Sequence, residues 1–325
     1  MVRSYVGRYR ALVIAAAVLL ASWSTAWAQY NPDAGPHKVL VLDHVVLHDA
    51  QRNKDVQIKV YYPAEPGPFP VIIFSHGALA SKDGYWALGR YWASFGYVSI
   101  HPSHADSVAD NGYRGTLLDA ISDPGGWTDR PKDISFIIDS LRQLEELAPE
   151  LKHKLDVSRI GVGGHSFGAY TAEAIGGATV LLPGENKPQS FRESRVAAVV
   201  MLSPQGEGEM GLTERSWDNF HVPMLLMYGE HDGGPRKQAP AWRSEPFHKS
   251  PPGDKFEVEL QGATHMVFAG PGLQTDLQTK VFRCAKLETL AFWDAYLKGD
   301  RQAKRYLTTN ALRAFSVDAA TFEQK

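Results

Sequence analysis

A single cysteine, Cys284, excludes an intramolecular disulfide and leaves no second thiolate for a zinc or iron–sulfur site. Basic residues are in no excess: 34 Lys and Arg stand against 36 Asp and Glu, a balance that does not favour nucleic acid as a partner. Beyond residue 21 no run approaches the roughly 20 apolar residues that a membrane span requires. Collagen, coiled coil and small disulfide scaffold are excluded as well, because 44% hydrophobic and 22% charged residues describe an ordinary globular chain.

What is present starts with a leader. Arg3, Arg8 and Arg10 precede the apolar run ALVIAAAVLLA at 11–21, and Ala26-Trp27-Ala28 supplies a small-x-small cleavage site. Such a run reaches only about 16 Å as a helix against roughly 30 Å of hydrocarbon, so a signal peptide over 1–28 is expected rather than an anchor. Cleavage before Gln29 lowers Lys and Arg to 31 against 36 acids, a net charge of −5. The mature protein is expected to be exported, to the periplasm or beyond.

Residues 29–325 read as one α/β domain. Short β-rich runs at 38–48 and 56–62, joined by the polar DAQRNKD, predict a hairpin. The continuous apolar run Phe69 to Phe74 predicts a central parallel strand covered on both faces. Strand and helix patterns then alternate: a helix about 83–95, a strand at 97–100, a helix from Pro131 to 147, and a strand at 158–163. Ile134, Ile137, Ile138, Leu141, Leu144 and Leu147 form the apolar stripe of the second helix. Further strands are expected at 196–201, 224–228 and 256–260, with a closing helix at 276–297. The expected architecture is a largely parallel sheet of about eight strands with helices on both faces. Turn-rich intervals at 103–129, 204–220 and 233–252 are expected as loops at the C-terminal edge of that sheet. On the closing helix Leu277, Val281, Cys284, Leu287 and Ala291 share one face, so Cys284 reads as a packing residue.

The segment Gly164-His165-Ser166-Phe167-Gly168 carries the chemistry. G-x-S-x-G between a Val/Gly strand and a helix allows the tight turn that lifts a serine nucleophile clear of a sheet. Serine needs a base to take its proton, and the base needs an orienting acid. The strand MLLMY leads into Gly229-Glu230-His231-Asp232, and FEVEL leads into Gly262-Ala263-Thr264-His265. The order Ser166, Asp232, His265, with separations of 66 and 33 residues, is that of an α/β-hydrolase rather than chymotrypsin or subtilisin. Glu230 is the local rival for the acid, and a turn-capping aspartate or a buried histidine is the plainer reading of each partner taken singly. Two backbone amides would hold the developing oxyanion: that of Phe167, and that of Ala78 or, second, Leu79, in the turn after Ser75-His76-Gly77. His76 reads as a loop-bridging hydrogen-bonding group.

These motifs, with the closing FWDAYLKGD at 292–300, resemble those of secreted α/β-hydrolases of the dienelactone-hydrolase-like and platelet-activating-factor-acetylhydrolase-like group, which neighbours bacterial cutinases and polyester hydrolases. The resemblance runs from about 38 to 300. It implies a serine carboxylesterase with Ser166, Asp232 and His265 as triad, Phe167 and Ala78 as oxyanion donors, and no cofactor. Two features depart from the group: the elbow holds Ser166 where dienelactone hydrolases in the narrow sense use cysteine, and Cys284 has no partner for the C-terminal disulfide common in secreted cutinases.

His101, His104, Asp106 and Asp110 crowd the first ten positions of the loop 101–128. A metal cluster is one reading of that spacing; hydrogen bonds and turns are the commoner use, and no metal is expected. Candidate pocket residues are His76, His101, His104, Trp127, Met210, Trp217 and Phe268, whose apolar share suits an uncharged acyl or aryl group. The expected substrate is a small-molecule or lipid-like ester, with a polyester as a further candidate. A serine peptidase or amidase, and a noncatalytic binding protein on the same scaffold, are the alternatives.

Overall fold

The computed structural model describes residues 33–270, 275–308 and 320–325. The leader expected at 1–28 lies outside the described residues. Among them no helix is long and apolar enough to cross a membrane.

One sheet of nine strands runs through the described residues, in the order β1-β2-β4-β3-β5-β8-β9-β10-β11. β1 (Val39–Asp49) and β2 (Lys54–Pro63) form the expected hairpin, and β2 pairs antiparallel with β4 (Val98–Pro102). From β4 the sheet is parallel through β3 (Phe69–Ser75), β5 (Leu155–His165), β8 (Val196–Leu202), β9 (Met224–His231) and β10 (Lys255–Thr264). β11 (Ala320–Gln324) returns antiparallel on the far edge. A separate two-stranded ladder joins β6 (Thr179–Val180) to β7 (Gln189–Ser190).

The apolar run of β3 feeds both sides of the sheet because successive side chains alternate. Val71 and Ile73 join the cluster beneath helices Pro124–Asp139, Leu141–Leu147 and Phe167–Gly176, while Ile72 and Phe74 join the one beneath helices Trp86–Ser94 and Asp276–Leu297. At roughly 25 cal/mol per Å² of apolar surface, these two layers supply the main drive for folding.

Three expectations need correction. The helix expected from Pro131 begins at Pro124, where Asp123 caps the amides of Gly125 and Gly126 and proline occupies the first turn. Pro131 sits inside it, and the helix stops at Asp139 before a second starts at Leu141. The stripe holds at Ile134, Ile137, Ile138, Leu141 and Leu144, but Leu147 is exposed. The 103–129 region is not a plain loop, since it carries short helices at Val108–Asn111 and Leu117–Ser122, each capped by a Ser or Thr hydroxyl. On helix Asp276–Leu297, Val281, Cys284, Leu287 and Ala291 are buried as the stripe demands, whereas Leu277 at its first turn is exposed.

That helix also buries Glu288. Its Oε1 accepts from Tyr306 Oη at 2.9 Å, its Oε2 meets no hydrogen-bond partner among the described residues, and burial pushes the carboxyl up to about 8. At pH 4 the group is mostly protonated in the folded and the unfolded chain alike. As pH rises toward 8 the unfolded chain gives up the proton freely while the folded one keeps it, so stability falls across that window. Glu288→Gln is therefore expected to leave urea stability unchanged at pH 4 and to raise it by about 1–3 kcal/mol at pH 8. Equal effects at the two pH values would mean that the buried carboxyl is not held protonated.

Candidate active site

The turn between β5 and helix Phe167–Gly176 is forced by close backbone packing. A Cβ on Gly164 would stand 2.0 Å from the Gly168 carbonyl oxygen, and one on Gly168 would stand 1.9 Å from that of Ser75. No side chain fits at either position. Ser166 between them adopts φ 55° and ψ −119°, a strained conformation costing on the order of 1–3 kcal/mol, and donates its N–H to Leu202 O at 2.9 Å. It is the one residue of 160–170 that is not buried.

Asp232 follows the last residue of β9 and is fully buried. His265 follows β10, with its side chain 32% exposed, and its Nδ1–H donates to Asp232 Oδ1 at 2.7 Å. Glu230 faces away: it is exposed and accepts the Gly262 amide at 2.9 Å. Ser203 Oγ–H donates to the other carboxylate oxygen of Asp232. Arg243, itself buried, donates from Nε to Asp232 Oδ1 at 2.7 Å and to its carbonyl at 2.8 Å. Its other nitrogens hold the carbonyls of Ser203, Pro204 and Gly233. Arg243 Nη2, which donates to Gly233 O, also lies 3.2 Å from His265 Nδ1, so the guanidinium flanks the imidazole that bonds Oδ1. Burial alone would raise the Asp232 carboxyl, but the His265 hydrogen bond, the Arg243 charge and the Ser203 hydroxyl outweigh it and hold it below the usual carboxylate range.

Ser166 is tied into this group through its neighbour. His165 is buried and packs its ring 4.6 Å from that of His265. Its Nε2–H donates to His265 O at 2.9 Å, and its Nδ1 accepts from Tyr85 Oη–H at 2.7 Å. Burial holds this imidazole well below its ordinary value and hence neutral, and its neighbours His265 and Arg243 push the same way.

The two oxyanion candidates also differ in their commitments. Phe167 opens its helix, so its N–H has no intrahelical acceptor. In the 77–80 turn the amides of Gly77, Leu79 and Ala80 are spent on Tyr85 Oη, on Asp106 Oδ2 at 3.0 Å and on Gly77 O, which leaves that of Ala78 as the candidate donor.

Most of the expected pocket residues lie beneath the surface rather than on an open wall. His101 packs on Tyr61 and Phe74, bonds to Ser99 Oγ, and is pushed down to about 3 by burial and Lys59. Trp217 is buried and donates from Nε1 to Glu173 Oε2 at 3.1 Å, while Met210 and Phe268 fill the two hydrophobic layers. His76 bridges the loops, donating from Nδ1 to Gly77 O at 2.6 Å and accepting from the His104 amide at 3.0 Å. Of the seven, Trp127 keeps partial exposure. Large apolar side chains in these long loops gain more by inserting into the body of the protein than by staying at its mouth.

The crowded 101–110 stretch disperses to separate partners. His104 stands between Ser75 Oγ at 2.9 Å and Asp133 Oδ2 at 2.8 Å, Asp106 pairs with Arg130, and Asp110 with Lys82. Among the described residues no three His, Cys, Asp or Glu side chains converge as a metal site. Ser75, His104 and Asp133 reproduce a Ser-His-Asp chain, but all three are fully buried, so no substrate reaches Ser75. Burial separates Ser75 from half-buried Ser166.

Sequence reasoning missed Arg243, Ser203, His165 and Arg130. Arg243 lies within a turn-rich interval with no motif around it. Arg130 stood just ahead of the expected helix, where the Pro124 start would have placed it inside a buried stripe.

A parallel sheet in this order, with a serine on the β5 elbow and an acid and a histidine after β9 and β10, defines the α/β-hydrolase fold. Comparison with known proteins agrees: residues 33–181 match the family described as Chlorophyllase. Over 208 residues the chain is 27% identical to Cutinase est2 of Thermobifida alba, and over 209 residues it is 28% identical to Cutinase est1 of the same organism. Each match takes in 63% of this chain and 56% of the relative, so the chain spans little more than half the length of the curated relatives it matches. It thus stands in the neighbourhood of the bacterial cutinases and polyester hydrolases.

Proposed function

We propose that this protein is an exported, single-domain carboxylic ester hydrolase working through an acyl-Ser166 intermediate. The observation that carries the reading is the buried, anionic Asp232 hydrogen-bonded at 2.7 Å to a half-exposed His265, beside a strained serine elbow. Ser166 Oγ attacks the ester carbonyl carbon while His265 takes its proton, and the carbonyl oxygen becomes an oxyanion held by the amides of Phe167 and Ala78. Collapse expels the alcohol with the proton from His265; water, activated by the same imidazole, then releases the acid. Asp232 orients the ring and stabilises its protonated form. No step calls on a cofactor.

The substrate class is a short-chain, aryl or lipid-like ester. The names of the relatives make a polyester a further candidate. Labelling with an activated phosphonate, followed by mass spectrometry, is expected to place the adduct on the Ser166 peptide. An adduct elsewhere, or loss of activity on chelation restored only by a metal, would defeat the mechanism. A chromogenic ester assayed beside its matched anilide separates this reading from a peptidase or amidase: faster turnover of the anilide would favour the latter.

Arg243 shares Oδ1 with His265, so it draws off part of the charge that stabilises imidazolium. Arg243→Gln is expected to move the acid limb of the kcat/KM profile to higher pH by about one unit. A limb that stays put, or moves to lower pH, would show that Arg243 does not act on the base.

A further inference from the structure

Arg130 lies in helix Pro124–Asp139, buried, and reaches both segments that carry the proposed oxyanion donors. Its Nη1 donates to the His76 carbonyl at 2.6 Å and approaches Ser75 Oγ at 3.4 Å. Its Nε and Nη2 grip Asp106 at 2.7–3.1 Å. Asp106 in turn accepts the Leu79 amide at 3.0 Å, so the residues on either side of Gly77-Ala78 are tied to one ion pair. The guanidinium carbon Cζ lies over the Phe167 ring, 4.1 Å from its centre.

We propose that the Arg130–Asp106 pair is a positioning element that sets the Ala78 amide against the Phe167 amide, so that the two converge on a single oxyanion. This rests on the acyl-serine reading above. The physical case is that residues 77–80 form a turn, closed by the Ala80 N–H on Gly77 O at 3.2 Å, with Leu79 at φ 65°, a conformation that a non-glycine residue keeps only when its surroundings over-determine it. The anchors on the His76 carbonyl and the Leu79 N–H supply that constraint. Arg is suited to it because one planar fork bonds a carboxylate and a carbonyl while its face packs on an aromatic ring; lysine, a point charge, does one of these at a time. Burial would raise the Asp106 carboxyl, but the Arg130 charge overrides it and holds the acid well below its ordinary range, so the pair stays ionised at any working pH.

The test is Arg130→Lys, which keeps the charge opposite Asp106 and loses the fork and the stacking. Loss of a whole oxyanion donor costs about 10²–10³ in kcat, so a displaced one is expected to cost about 10–100-fold with KM held within about threefold. The affinity of a trifluoromethyl ketone, whose adduct with Ser166 places an oxyanion in the hole, is expected to fall by the same factor. The methyl ketone of the same chain, bound unreacted, is expected to bind as before. Should Arg130→Lys fail to fold, Phe167→Leu decides: it retains the ion pair and the backbone amide, and losing the ring under the guanidinium is expected to cost about three- to tenfold in kcat and in trifluoromethyl ketone affinity. A folded variant with wild-type kcat, or one that loses both ketones equally, would overturn the positioning role. Ser166→Ala in parallel keeps the two ideas apart. If it is active, the acyl-serine reading itself falls; if it is inactive beside an unaffected Arg130→Lys, only the positioning role does.

Discussion

Ser166→Ala is expected to lower kcat on an activated ester by about 10⁶-fold, the scale of loss when the serine is removed from other triads. The variant should fold normally. Alanine tolerates the φ of 55° no worse than serine, the Ser166 N–H still reaches Leu202 O, and the glycines at 164 and 168 that permit the turn are untouched. A residual acceleration of about 10³-fold over water would remain from the oxyanion amides and substrate binding. The measurement is kcat with phosphonate labelling in parallel, and it must show both turnover and adduct lost. Substantial turnover by the folded variant would remove Ser166 as nucleophile.

Asp232→Asn is expected to cost about 10⁴-fold in turnover, by analogy with the same change in a well-studied triad. The substitution preserves shape, yet an amide can hold the imidazole in the wrong tautomer and cannot stabilise imidazolium. Here it does further damage, because Arg243 loses the anion it is buried against. Stripping one member from a buried pair costs about 3–5 kcal/mol of stability, so the rate must be measured at a temperature where the variant remains folded. Glu230→Gln provides the contrast. Glu230 is exposed and uses one oxygen to accept the Gly262 amide, a role the glutamine carbonyl can fill, so turnover is expected to change by less than about threefold. A severe Glu230→Gln defect beside an unaffected Asp232→Asn enzyme would move the orienting acid to Glu230.

What could be read from the residues alone is what adjacent positions encode. Phe69 to Phe74 announces a strand buried on both faces because a period of two distributes side chains to two layers, and those layers are where Val71, Ile72, Ile73 and Phe74 lie. The parallel order of the sheet follows from strands alternating with helical stripes. Gly164 and Gly168 are legible for the same reason: the turn admits no Cβ, so the constraint is written in contiguous residues. Where adjacency carries less information, the reading slipped. Pro131 looked like a helix start until Asp123 and Pro124 took that place, and no run around 320–324 announced the edge strand that pairs with β10.

The surroundings of the site belong to tertiary structure. Arg243 meets Asp232 across 11 positions, Arg130 meets Asp106 across 24 and the His76 carbonyl across 54, and His165 meets His265 across 100. No periodicity links such residues; they are selected by the cost of leaving a buried charge or amide without a partner, and that cost exists only once the sheet has brought their strands side by side. The same physics drew Trp217, Phe268 and His101 inward from the expected pocket and sealed Ser75, His104 and Asp133 away from solvent. Local backbone and periodicity were enough to read the α/β scaffold and nominate a serine, an acid and a histidine; packing alone decided which polar groups stand behind the acid and the histidine, and that Ser75 is sealed from solvent while Ser166 is not.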